Sequence, residues 1–208
     1  MKSIYLKAIK FFASLWFFNY SVLDKMYNLK SRFYSEIIKK ALKECGNDFI
    51  IYYPANILGH NNITIGEKFT CFARLRLEAY SEHNKVKYTP EIIIGNNVSI
   101  NFDCHIACIN KIIIGDNVLI ASKVFITDHF HGNASKESMT LPPNQRILES
   151  KGIVVIEENV WIGEGVTIMP NVTIGKNSIV GSNAVVTKSF PSNSIIGGVP
   201  AKLIKTIN

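Results

Sequence analysis

The chain has 208 residues, 47% of them apolar, which suits one domain plus an appendage and is too apolar for a disordered polypeptide. Its formal net charge of +7 is concentrated at the N-terminus, where Lys2, Lys7, Lys10, Lys25, Lys30, Arg32, Lys39, Lys40 and Lys43 face only Asp24 and Glu36. A basic chain suits nucleic acid, a membrane surface or anionic ligands. The basic-aromatic alternation of RNA readers is missing, which argues against nucleic acid as a partner. Cys45, Cys71, Cys104 and Cys108 form no C-x-x-C pair and read as small buried residues in a reducing compartment rather than a disulfide scaffold.

Residues 1–46 read as an N-terminal helical region. The uncharged run FFASLWFFNYSVL at 11–23 follows three lysines. It is shorter than the ~18–20 apolar residues of a membrane span. It also lacks the small-x-small cleavage site of a signal peptide. Three readings stay open: a helix packed on the body, a helix lying on an anionic membrane through residues 1–28, or a signal or anchor. The cytoplasm, including the inner face of the membrane, is the expected location. A second helix is expected near 30–44, with Phe33, Ile37, Ile38, Ala41 and Leu42 at helical spacing and Gly46 as its stop.

From 47 to 208 the pattern changes. Ile156, Ile162, Ile168, Ile174, Val180 and Val186 recur every six residues. Val160, Val166, Val172, Ser178 and Ala184 stand four places after successive members of that series. Neither the helical nor the strand period explains a strict six. Three six-residue segments close one triangular coil, with branched aliphatics stacked inside and glycine or Asn/Asp at the corners, which is a parallel β-helix. The same phase appears at Ile94, Ile100 and Ile106, and again, shifted by two residues, at Ile114, Ile120 and Ile126. Two breaks, near 73–90 and 129–152, read as loops leaving a corner, where function concentrates.

Several blocks then resemble a known family: Asn159-Val160-Trp161-Ile162-Gly163, Pro170-Asn171-Val172-Thr173-Ile174-Gly175, Val185-Val186-Thr187-Lys188 and Gly198-Val199-Pro200-Ala201-Lys202. They are similar to the hexapeptide-repeat acyltransferases of the maltose and galactoside O-acetyltransferase branch, over about 91–208. The resemblance implies an all-β left-handed parallel β-helix, here behind a helical extension. It also implies a homotrimer with active sites between subunits, acetyl-CoA as donor, no metal, and a carbohydrate hydroxyl as acceptor, in a surface polysaccharide or its precursor. Counting without gaps from Asp116-Asn117 puts the family's catalytic histidine at His131, with His129 one register away as the other candidate. Asn101 would hold the acceptor. Glu164, Ser182, Thr187 and Lys188 would line the coenzyme groove, and Lys202 and Lys205 stand where relatives carry phosphate-binding arginines. Trp161 packs beside the acceptor or caps a coil, and His105 is structural or a substrate contact. One departure is Ile109, at the position of a substrate-binding aspartate in the galactoside branch, so the acceptor is expected to differ. Acyl transfer to a hydroxyl needs a base near neutrality, which suits histidine. The alternatives are transfer to an amino group, a non-catalytic trimeric scaffold, and a γ-carbonic-anhydrase-like enzyme using His105, His129 and His131 on zinc.

Overall fold

The computed structural model describes residues 2–15, 20–133 and 135–207. Residues 16–19, in the middle of the apolar run 11–23, lie outside the described residues. Two helices, α1 (Lys2–Ser14) and α2 (Tyr20–Ala41), precede a left-handed parallel β-helix.

The coil has three faces. The first stacks Glu44–Cys45, Ile63–Ile65, Glu91–Ile94, Lys111–Ile114, Val154–Ile156 and Thr173–Ile174. The second begins with Ile50–Ile51 and runs through Thr70–Cys71 and later rungs to Ser194–Gly197, where Lys202–Thr206 pairs antiparallel. The third stacks Ala55–Leu58, Leu75–Ala79, His105–Cys108, Phe125–Thr127, Thr167–Ile168 and Val185–Val186. The sixfold period becomes three inward ladders. On the first face Ile65, Ile94, Ile114, Ile156 and Ile174 are in register. On the second, Ile51, Cys71, Ile100, Ile120, Ile162, Val180 and Ile196 are. On the third, Leu77, Ile106, Ile126, Ile168 and Val186 are. All are at most 1% exposed, so the core is one continuous apolar column. At one corner Asn97, Asn117, Asn159, Asn177 and Asn193 all take left-handed φ of 55–59°. Each side-chain amide donates to the next asparagine's Oδ1 at 2.9–3.1 Å. Asparagine tolerates that conformation, and the amide gives each coil a bond to the next.

The second helix departs from expectation. Its buried side is Ser31, Ser35 and Ile38, with Leu42 buried just past its end, while Phe33 and Ile37 are 70% and 54% exposed. The reason is the surface beneath it, which is the unpaired edge of the first coil. Ser35 Oγ accepts from Ile51 N–H at 2.9 Å, Ser31 Oγ accepts from Tyr53 N–H at 3.3 Å, and Tyr34 OH donates to the Ala55 carbonyl at 2.7 Å. A strand edge requires polar partners, so the helix offers hydroxyls where a core would take aliphatics. Nor does Gly46 end the helix, which stops at Ala41. Gly46 is the first of a corner stack with Gly66, Gly95 and Gly115, and a Cβ there would lie 2.6 Å from Glu67 N. The first helix keeps Ile4, Tyr5, Leu6, Ile9, Phe11 and Phe12 at least 57% exposed, so its apolar residues are not packed on the body of the same chain. No helix among the described residues is long and apolar enough to cross a membrane.

The breaks in period share one corner, between the third and first faces. Of the stretch 73–90, Leu75–Ala79 remains in the third face; the excursion starts at Tyr80 and forms a hairpin, Glu82–His83 with Val86–Lys87. One coil up, the turn from Ile94 to Ile114 takes two residues more than three hexapeptides, and the surplus falls at 108–110. In the next coil the long loop departs after Thr127. Three consecutive coils therefore open at the same place.

Candidate active site

That corner holds a cavity of about 280 Å³, lined among others by Arg76, Tyr80, His83, His105, His129 and His131. Asp128, fully buried, lies at its back. The two-residue surplus in the coil below turns the N–H groups of Ile109 and Asn110 towards this carboxylate, at 3.0 and 2.8 Å, and Cys108 Sγ–H donates to it at 3.2 Å. His129 Nδ1 stands 2.9 Å from Asp128 Oδ1. Burial works against ionisation of Asp128, yet the bond to His129 and the backbone donors outweigh it and hold the carboxyl below its ordinary range. An ionised Asp128 requires His129 to present Nδ1–H, which leaves Nε2 as the ring's basic nitrogen. The ring is 8% exposed, and Tyr80 meets it edge-on at 6.2 Å.

His131 lies two residues on, in a short strand pairing Phe130–His131 with Leu148–Glu149, and is exposed. Its ring stands edge-on to His83 at 5.6 Å. Burial first, then the charges of His83 and His129, lower its pKa. No carboxylate contacts His131 among the described residues. The loop turns its ring to the mouth of the cavity, while the coil fixes His129 at the back.

Below the histidines, Glu78 is 4% exposed and collects four partners. Tyr80 OH donates at 2.7 Å, His105 Nε2 stands at 2.9 Å, Arg76 approaches at 3.0–3.2 Å, and Asn56 donates at 3.4 Å. Burial would raise the Glu78 pKa, but the bonds from Tyr80, His105 and Arg76 lower it overall. Burial, followed by Glu78, pushes the Tyr80 hydroxyl up to about 12. His105 is lowered because burial outweighs its carboxylate partner. Glu78, Tyr80 and the anchoring role of Asp128 escape a reading of the repeat alone. The signal for Glu78 is the segment Leu75-Arg76-Leu77-Glu78-Ala79, whose alternation turns two opposite charges outward on adjacent outward positions.

The other sequence-nominated residues are elsewhere. Asn101 occupies the opposite corner of the third face, and its Nδ2 donates to the Ile120 carbonyl at 3.0 Å. Trp161 is 49% exposed on the second face. Glu164 pairs with Lys123 at 3.2 Å. Ser182, Thr187 and Lys188 are exposed on the last coil, and Lys202 and Lys205 are exposed on the antiparallel end strand. None lines the histidine cavity. No group of three or more His, Cys, Asp or Glu suited to a metal occurs among the described residues.

Residues 153–188 match the family model described as bacterial transferase hexapeptide (six repeats). The putative lipopolysaccharide biosynthesis O-acetyl transferase WbbJ of Escherichia coli K12 is 44% identical over 76% of this chain and 79% of its own length. The chain belongs to the hexapeptide-repeat acyltransferases. It is an acyl-CoA-dependent O-acetyltransferase, with acetyl-CoA as cosubstrate. Galactoside O-acetyltransferase of the same organism is 39% identical over 58% of this chain and 57% of that one. Among solved structures, AntD, an N-acyltransferase from Bacillus cereus in complex with dTDP and 3-hydroxybutyryl-CoA, superposes with a TM-score of 0.68. Its identity is 22%, over 83% of this chain and 87% of that one, a likeness of fold. Within this acetyltransferase, the shared corner is where the repeat gives way to the histidine cavity.

Proposed function

We propose that the enzyme acetylates a hydroxyl of a sugar in a surface polysaccharide or its precursor, with His129 as the general base. The observation that carries the residue assignment is the Asp128–His129 pair at the back of the cavity. Nε2 of His129 takes the proton of the acceptor hydroxyl as its oxygen attacks the thioester carbon. The resulting imidazolium is stabilised by Asp128. Collapse of the tetrahedral intermediate breaks the C–S bond, and the proton passes from His129 to the leaving coenzyme A sulfur. The gapless count along the family resemblance, from Asp116-Asn117, favours His131 instead, and His131 lines the same cavity. His129→Ala should abolish thiol release from acetyl-CoA with a sugar panel, while His131→Ala should retain most of it; the reverse pattern assigns the base to His131.

The acceptor reading draws on the relative named for lipopolysaccharide biosynthesis. Asn101 would orient the acceptor and Trp161 pack beside it. Glu164, Ser182, Thr187 and Lys188 would line the pantetheine groove, with Lys202 and Lys205 on the phosphates as point charges. In one chain these residues are separate from the histidine cavity, which supports a homotrimer that brings one subunit's last coils against another's cleft. The exposed apolar residues of α1, beside Lys7 and Lys10, suit an anionic membrane surface at the cytoplasmic face. If removing residues 1–28 leaves flotation with anionic vesicles unchanged, the membrane reading fails.

A further inference from the structure

We propose that Arg76 is an acceptor-binding residue, holding an anionic group, phosphoryl or carboxylate, about one sugar away from the hydroxyl that is acetylated. This rests on reading the histidine cavity as the acceptor site.

The argument begins with the outward row of the third face. Phe125, His105, Arg76 and Asn56 are register partners on successive coils. Rungs stack at ~4.8 Å, so Arg76 lies two rungs, or ~10 Å, below the coil that ends at His129. A second cavity of about 480 Å³, lined by Pro54, Ala55, Asn56 and Arg74 among others, runs along the next stretch of this face. The two cavities share Arg76 and His105. Arg76 therefore stands at the junction of the two cavities.

Its charge is arranged to point outward. The Arg76 side chain is 52% exposed, whereas the side chain of its counter-charge, Glu78, is 5% exposed. Nε and one Nη are fixed on Glu78, and the other Nη makes no hydrogen bond among the described residues. The remaining carboxylates nearby are engaged: Asp128 is buried, and Asp103 pairs with Arg74 at 2.7 Å. An arginine held rigid by a buried carboxylate presents its free donors to an oxyanion with little ordering cost. Glucose 1-phosphate and glucuronate each carry such an oxyanion on one side of a single ring, with free hydroxyls on the other.

The test uses the full-length protein saturated with coenzyme A, so that its own phosphate sites are filled. Binding of glucose 1-phosphate, glucuronate and methyl glucoside is measured by calorimetry for wild type, Arg76→Gln, and Arg76→Gln combined with Glu78→Gln. The double variant leaves no unpaired buried carboxylate, and circular dichroism verifies its fold. Wild type should bind one anion roughly ten- to a hundred-fold tighter than the neutral glucoside, the range of a charge-assisted hydrogen bond. Both variants should bring that ratio close to one. Preference for the phosphate identifies a phosphoryl acceptor, and preference for glucuronate a uronic acid. A ratio near one in wild type, or a ratio that survives in the variants, overturns the proposal. Acetyl transfer that depends on His129 while anion binding ignores Arg76 would sink this inference alone. Arg76-dependent binding with transfer indifferent to His129 would sink the base assignment alone.

Discussion

Asp128→Asn is the sharpest probe of the site. The substitution keeps size and removes charge. The wild-type carboxylate accepts from two backbone N–H groups, one thiol and His129 Nδ1. An amide retains one acceptor oxygen, and its NH2 must then face a donor. If it faces His129, the ring turns to the wrong tautomer and Nε2 becomes N–H, unable to take a proton. A hydrogen bond to a charged partner contributes about 1.5–3 kcal/mol, so losing Asp128's stabilisation of the imidazolium predicts a kcat drop of roughly ten- to a hundred-fold. Loss of the base itself predicts about 10²–10⁴-fold. Thiol release from acetyl-CoA under saturating donor should show Asp128→Asn falling in kcat with little change in the KM for acetyl-CoA. His129→Ala should fall at least as far. Wild-type kcat in Asp128→Asn, with collapse in His131→Ala, would refute the orientation argument outright.

Other outcomes follow from the same contacts. The Asp128 pKa is depressed in the folded state, so its contribution to stability is present above the unfolded pKa and is lost as pH falls through the folded one. Acidifying below the ordinary carboxylate range should lower the thermal midpoint of wild type more than that of Asp128→Asn; parallel curves would contradict it. Ser35→Ala orphans the Ile51 N–H at the coil edge and should cost about 1–3 kcal/mol in denaturant unfolding, with activity retained. Asn159→Ala should cost roughly 1–3 kcal/mol by adding left-handed strain and breaking the corner ladder in two places, and Asn159→Gly should recover part of that.

The column of the β-helix is legible in the sequence because a period of six leaves one solution for its aliphatics, and Ile94, Ile114, Ile156 and Ile174 stack as their spacing requires. The helix beneath it is not, and Phe33 and Ile37 show why. Apolar periodicity assumes that a helix packs on a core, whereas this one packs on a strand edge through serines. At the site, the string Asp128-His129-Phe130-His131 announces titratable groups but not their ranking. The donors that fix Asp128 come from Ile109 and Asn110, whose closeness depends on how two coils stack. Ile109 contributes its N–H to Asp128 rather than its side chain. Glu78 is hidden for the same reason, since its partners are spread over three coils.

The hydroxyls of α2 have a consequence for how the molecule behaves in a crowd. A parallel coil has no natural last rung, and each exposed backbone row invites the next chain to continue it. Ser31, Ser35, Tyr27 and Tyr34 occupy Tyr53 N–H, Ile51 N–H, the Tyr53 carbonyl and the Ala55 carbonyl. They terminate growth with side chains, which cannot be extended, where another strand would only have moved the growing tip one step outward. Detaching this helix by mutation should therefore turn a discrete particle into the seed of a fibre, visible as time-dependent light scattering before any loss of β-structure.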